Sequence, residues 1–119
     1  MKKILLTAVM AIVMATSAHA ACEGGTESNG FCISNIELNW WSASNWCKAN
    51  GRHLATMYEV CPDWDGNAGS GKCPVIASSI SVPAWTATAN QSNHAFYVTP
   101  SSGYASSHLR NYPYRALCQ

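Results

Sequence analysis

Six cysteines lie between residues 22 and 118 of this 119-residue chain, and none lies in the apolar stretch that opens it. That opening has Lys2 and Lys3, an apolar run from Ile4 to Met14, and Ala18-His19-Ala20, an A-x-A cleavage pattern. Residues 1–20 therefore read as a secretory signal. Removing those 20 of 119 residues leaves 99, a single mature domain spanning 21–119 and beginning at Ala21. An even number of thiols in a small exported domain reads as a fold stapled by three disulfides. Thiols used in this way are scaffold, not chemistry.

Covalent staples matter at this size, because a 99-residue domain buries only a modest fraction of its surface. The mature part carries five basic residues (Lys48, Arg52, Lys72, Arg110, Arg115) and six acidic ones (Glu23, Glu27, Glu37, Glu59, Asp63, Asp65). Neither sign forms a run, so the clustered basic face of a nucleic-acid binder is missing, as is a polybasic membrane patch. Beyond the signal no apolar stretch approaches the roughly 20 residues that span a bilayer. His19-Ala20-Ala21-Cys22 faintly resembles a lipoprotein box, but acylating Cys22 would strand one of the other thiols. A secreted or periplasmic protein is expected.

Several local signals place elements. Asn29-Gly30 predicts a tight turn inside a turn-rich amino-terminal loop, followed by a short strand, Phe31-Cys32-Ile33. A Cys22–Cys32 bridge would clip the amino terminus to that strand. Asn39 to Gly51 predicts a helix, with Asn39 capping its first amides and Gly51 ending it. Trp40, Ala43, Trp46 and Cys47 then share an arc of about 120° that faces the core, while Trp41 falls off this stripe. Thr56-Met57-Tyr58-Glu59 has the spacing of a capping box and predicts a second, shorter helix that stops by Cys61-Pro62. Asp63 to Lys72 reads as an exposed loop, which a Cys61–Cys73 bridge would close. Trp85–Thr88 and Ala95–Val98 predict a hairpin around the polar tip 90–93. A turn at 100–103, an irregular stretch from Tyr104 to Tyr114 and a closing strand, Arg115 to Cys118, complete the reading. The fold class is α+β, two short helices on a small twisted antiparallel sheet.

The spacing Trp40-x-x-Ala43-x-x-x-Cys47-x-x-x-Gly51-x-x-Leu54-Ala55 resembles the first-helix signature of C-type lectin-like domains. Ala116-Leu117-Cys118 resembles that family's closing strand, and the tryptophan-rich bacterial versions of the fold are the nearer likeness. The resemblance implies a Cys47–Cys118 bridge between helix and final strand, and matches Cys22 and Cys32 to the extra pair of the longer members. It also implies an extracellular glycan or protein ligand. The family's calcium-chelating triplets, Glu-Pro-Asn or Gln-Pro-Asp and Trp-Asn-Asp, are absent, so no cofactor is expected and binding is expected to be independent of calcium.

Other chemistries find weak footing. Asp63, Asp65 and Asn67 carry oxygen donors at EF-hand spacing, but Ala68 stands where that loop needs glycine and Pro74 where it needs glutamate. A Cys61, Cys73, His94, His108 zinc set lacks the paired ligand spacings of zinc sites. No nucleophile elbow relates a serine to a histidine, so an enzyme is not expected. Binding residues are expected at Trp64, in the polar loop, and at Tyr104, His108, Arg110, Asn111, Tyr112 and Tyr114 before the last strand. Tyr and Arg are rich in recognition energy, and Ser, Gly and Asn adapt their hydrogen bonds. The reading is a recognition module; the alternatives are a structural subunit of a surface assembly and, behind it, an exported enzyme.

Overall fold

A computed structural model describes residues 21–68 and 73–119. The expected signal, residues 1–20, and part of the acidic loop, 69–72, lie outside the described residues. The elements run β1 (Gly25–Ser28), β2 (Phe31–Leu38), α1 (Trp40–Ala49), α2 (Met57–Val60), β3 (Ala84–Ala89), β4 (His94–Thr99), β5 (Tyr104–Leu109) and β6 (Tyr114–Cys118). All six strands form one sheet in the order β1-β2-β6-β3-β4-β5. Three disulfides, Cys22–Cys32, Cys47–Cys118 and Cys61–Cys73, use all the cysteines.

The helix ends follow from their sequences. Asn39 is extended, and its side chain accepts from the Ser42 amide at 2.8 Å. At the other end Gly51, at φ 71°, lets the Arg52 and Gly51 amides turn back onto the Cys47 and Lys48 carbonyls, a Schellman cap. The Thr56 hydroxyl accepts from the Glu59 amide, and the Glu59 carboxylate from the Thr56 amide at 2.8 Å. Burial would raise the Glu59 pKa, but the Thr56 amide, then His53 and the Thr56 hydroxyl, outweigh it and hold the carboxyl below its usual value. Asn29 and Gly30 both take positive φ, closing the β1–β2 hairpin in two residues.

The sheet is mixed, which corrects the expectation of a purely antiparallel one. β6 inserts between β2 and β3, antiparallel to β2 and parallel to β3 through Ala84↔Arg115 and Trp85↔Ala116. The cause is topological: after two hairpins β5 runs in the same sense as β3, and the chain must recross the sheet before the last strand can pair. Two further differences appear. The turn-rich amino-terminal segment contains a true strand, β1, and Tyr104–Leu109 is a strand in unbroken six-pair register with β4, not an irregular stretch.

Both faces of the sheet are covered, and strand alternation assigns the residues. Cys32, Trp85, Ala95, Ala116 and Cys118 pack with Ala43 and Cys47 of α1. Ile33, Ala84, Phe96, Val98 and Leu117 pack with Met57 and Val60 of α2 and with Cys61, Trp64, Cys73, Ile76 and Ile80. Trp85 is fully buried, whereas Trp40 and Trp46, expected to face the core, are half-buried against the α1 cluster. Among the described residues no helix is long and apolar enough to cross a membrane.

Candidate functional site

Four polar rings meet on the α1 side of the sheet, beyond the end of the helix. Tyr97 comes from β4, His108 from β5, Tyr114 from β6, and Tyr112 from the 110–113 segment that recrosses the sheet. Their positions follow from the register. Ala95 pairs with His108 and Tyr97 with Ser106, so Tyr97 and His108 share the face that Trp85 occupies on β3. Ring centroids lie 4.3 Å apart for His108–Tyr112, 5.2 Å for Tyr112–Tyr114 and 4.9 Å for Tyr97–Tyr114. All are tilted, the arrangement that ring quadrupoles favour. Tyr114 also packs on the buried Trp85 at 5.0 Å, which ties the cluster to the core.

Electrostatics divide the cluster into an inner and an outer part. Burial first, and then the neighbouring Tyr97 and Tyr112 phenols and the Glu37 carboxylate, push the Tyr114 hydroxyl up to about 12. Tyr112 is instead 47 % exposed, so its ring is open to a partner. His108 Nδ1 is buried without a hydrogen-bond partner among the described residues. Such an orphan costs about 1–3 kcal/mol, and it sits directly beneath this patch.

The strap that carries Tyr112 is held from below. The Trp85 indole N–H donates to both the Tyr112 carbonyl, at 3.2 Å, and the Leu38 carbonyl, at 3.0 Å. Arg110 fixes the strap's other end. Its Nε donates to the His94 carbonyl at 3.1 Å, its Nη2 reaches the Gln91 carbonyl at 3.4 Å, and its guanidinium lies 4.5 Å from the Trp40 ring centroid. The Trp40 amide donates to the Arg110 carbonyl at 2.8 Å. Arg110, expected as a ligand contact, uses its Nε and one Nη2 hydrogen within the protein and so positions the strap.

The remaining expected residues scatter. Asn111 is exposed on the strap, next to Tyr112. Tyr104 is 45 % exposed and shares the sheet face of Tyr97 and His108, but it stands at the far end of β5. Trp64 corrects the expectation of an exposed indole: it is 8 % exposed and lies on the opposite face. The Cys61–Cys73 loop folds back, setting the indole 4.7 Å from Phe96 and 5.2 Å from Tyr58, with its N–H donating to the Asn67 carbonyl. Tyr97 was absent from the expected set. Its signal was present in the strand alternation, which puts it on the face of Trp85.

In the acidic loop, Asp65 Oδ1 accepts from the Asn67 amide at 3.0 Å, a local turn, and Asp63 is exposed. Cys61 and Cys73 are joined to each other, so the paper zinc set with His94 and His108 does not exist. Among the described residues no three His, Cys, Asp or Glu side chains are grouped to hold a metal ion. Among the described residues no pocket is found, and the patch is exposed at Tyr112. The sequence matches no protein-family model and no curated protein.

Proposed function

We propose that this protein is an extracytoplasmic recognition module of C-type lectin-like architecture, binding a glycan or protein ligand without calcium and without catalysis. The observation that carries the reading is the ring cluster of Tyr97, His108, Tyr112 and Tyr114, open on its Tyr112 side and anchored through Tyr114 to Trp85. Tyrosines pre-packed against one another present a large amphipathic area at low entropic cost, which is what recognition surfaces use. An open aromatic surface suits a flat partner better than a small substrate, which needs a concave site. The helix spacing from Trp40 to Ala55 and the Cys47–Cys118 bridge support the family reading. Three disulfides fit a protein of an oxidising compartment.

The test is a glycan array paired with a panel of extracellular proteins, each run with and without a divalent-cation chelator. Binding that survives chelation is expected. Binding abolished by the chelator, or none on either panel, would count against the reading.

A further inference from the structure

The other conspicuous construction of the chain is a clasp around Ala21, far along the sheet from the rings. The Ala21 amide nitrogen donates to the Asn50 carbonyl at 3.0 Å, and the Arg52 Nε donates to the Ala21 carbonyl at 2.7 Å. Two residues on, the Glu23 amide donates to Asn50 Oδ1 at 2.9 Å. Both receiving side chains are themselves fixed. Asn50 is 8 % exposed, and its Nδ2 donates to the Trp46 carbonyl. The Arg52 side chain is 6 % exposed and bridges to Glu27 at 3.0 Å. The Cys22–Cys32 bridge follows at the next residue.

The acceptor is the significant part. Asn50 is the C-cap of α1, the ten-residue helix, and its carbonyl belongs to the negative end of the helix dipole. The carbonyls of Trp46, Cys47 and Lys48 are used within the cap by Asn50, Gly51 and Arg52, and it is the Asn50 carbonyl that takes the Ala21 amide. A neutral amide satisfies it with one hydrogen. A positive amine would satisfy it and add the favourable charge–dipole interaction. The bond that would create such an amine, Ala20–Ala21, ends the Ala18-His19-Ala20 pattern.

We propose that the Asn50 carbonyl is the receptor for the α-ammonium group of Ala21, generated by proteolytic cleavage after Ala20, while Arg52 holds the Ala21 carbonyl, so that maturation completes the fold. Cleavage hydrolyses one peptide bond: water gives its oxygen to what becomes the Ala20 carboxylate, and its two protons end on the Ala21 nitrogen, which becomes the ammonium group. The charged residues on the elements that meet there are Lys48 and Arg52 against Glu23 and Glu27, so the site adds no net charge of its own. Held as a cation, the amine ionises at higher pH in the folded than in the unfolded chain. Its contribution is therefore full below the unfolded value, about 7.7–8.0, and is lost as the pH rises through the folded one.

The full chain is exported and the purified product weighed intact, alongside a variant with one glycine inserted between Ala20 and Ala21. Cut after Ala20, the variant keeps every Ala21 main-chain hydrogen bond but moves the charge one residue away. The wild-type mass is expected to begin at Ala21. The insertion is expected to lower the melting temperature by roughly 2–6 °C at pH 6.5, and the gap to close by about pH 10. A retained leader, a lipid on Cys22, no gap at pH 6.5, or a gap that does not change with pH would each overturn the proposal.

Discussion

Sulfur ties the segment before β1 to β2 through Cys22–Cys32, and α1 to β6 through Cys47–Cys118, whereas β3, β4 and β5 contain no cysteine. The cysteine-bearing side is fastened by bonds that limit the unfolded chain. The side that carries Tyr97 and His108 is fastened instead by one indole N–H, one guanidinium and a ladder of paired strands. The lesson is a division of labour. Covalent bonds fasten one side, and weak, directional contacts set the geometry where Tyr97, His108 and Tyr112 cluster.

The largest way to break that contrast is to remove the long bridge. Cys47 and Cys118 are 71 residues apart, and closing a loop of that length is worth about 4 kcal/mol in the chain-entropy treatment. Replacing both by alanine is expected to take about that much from a total of about 5–15 kcal/mol, read as a fall in the urea midpoint. A much smaller loss would mean that the sheet holds itself. Trp85→Phe is the matching change on the other side. It keeps the ring but leaves the Leu38 and Tyr112 carbonyls without their donor, at about 1–3 kcal/mol. Its diagnostic effect is on the near-ultraviolet circular dichroism of the tyrosines, which should change under conditions where the variant is still folded.

The smallest effect is a titration. Tyr114 is expected to ionise at about 12 in an alkaline absorbance titration, against about 10 for a free phenol. Because the fold disfavours the ionised form, Tyr114 stops supporting stability as the pH rises above about 10. A Tyr114→Phe variant should lose that late step alone.

How much of this was legible beforehand depends on whether a signal was local. Asn39, Gly51 and the Thr56–Glu59 box act on amides within four residues, so the ends of α1 and the start of α2 could be read directly. The Asn29-Gly30 turn was equally explicit. β5 was hidden because its only buried residue is Ala105; its strand character comes from pairing with β4, not from its own alternation. The parallel β3–β6 pair was hidden for the same reason, since no residue of either strand records its neighbour's direction. Trp64 misled because the polar composition of its loop masked a return onto Phe96. Of the rings that cluster, His108, Tyr112 and Tyr114 were expected from residue type, whereas Tyr97 and the hydrogen bonds of Arg110 needed the register.

The claim on which the rest depends is that the rings around Tyr112 recognise a partner. Tyr112→Ala removes an exposed ring whose carbonyl, still held by Trp85, keeps the strap in place. Measured against whichever array component the wild-type protein binds, the substitution should weaken affinity about tenfold or more while moving the melting temperature by less than about 2 °C. Affinity equal to that of the wild-type protein would show that recognition lies elsewhere on the molecule.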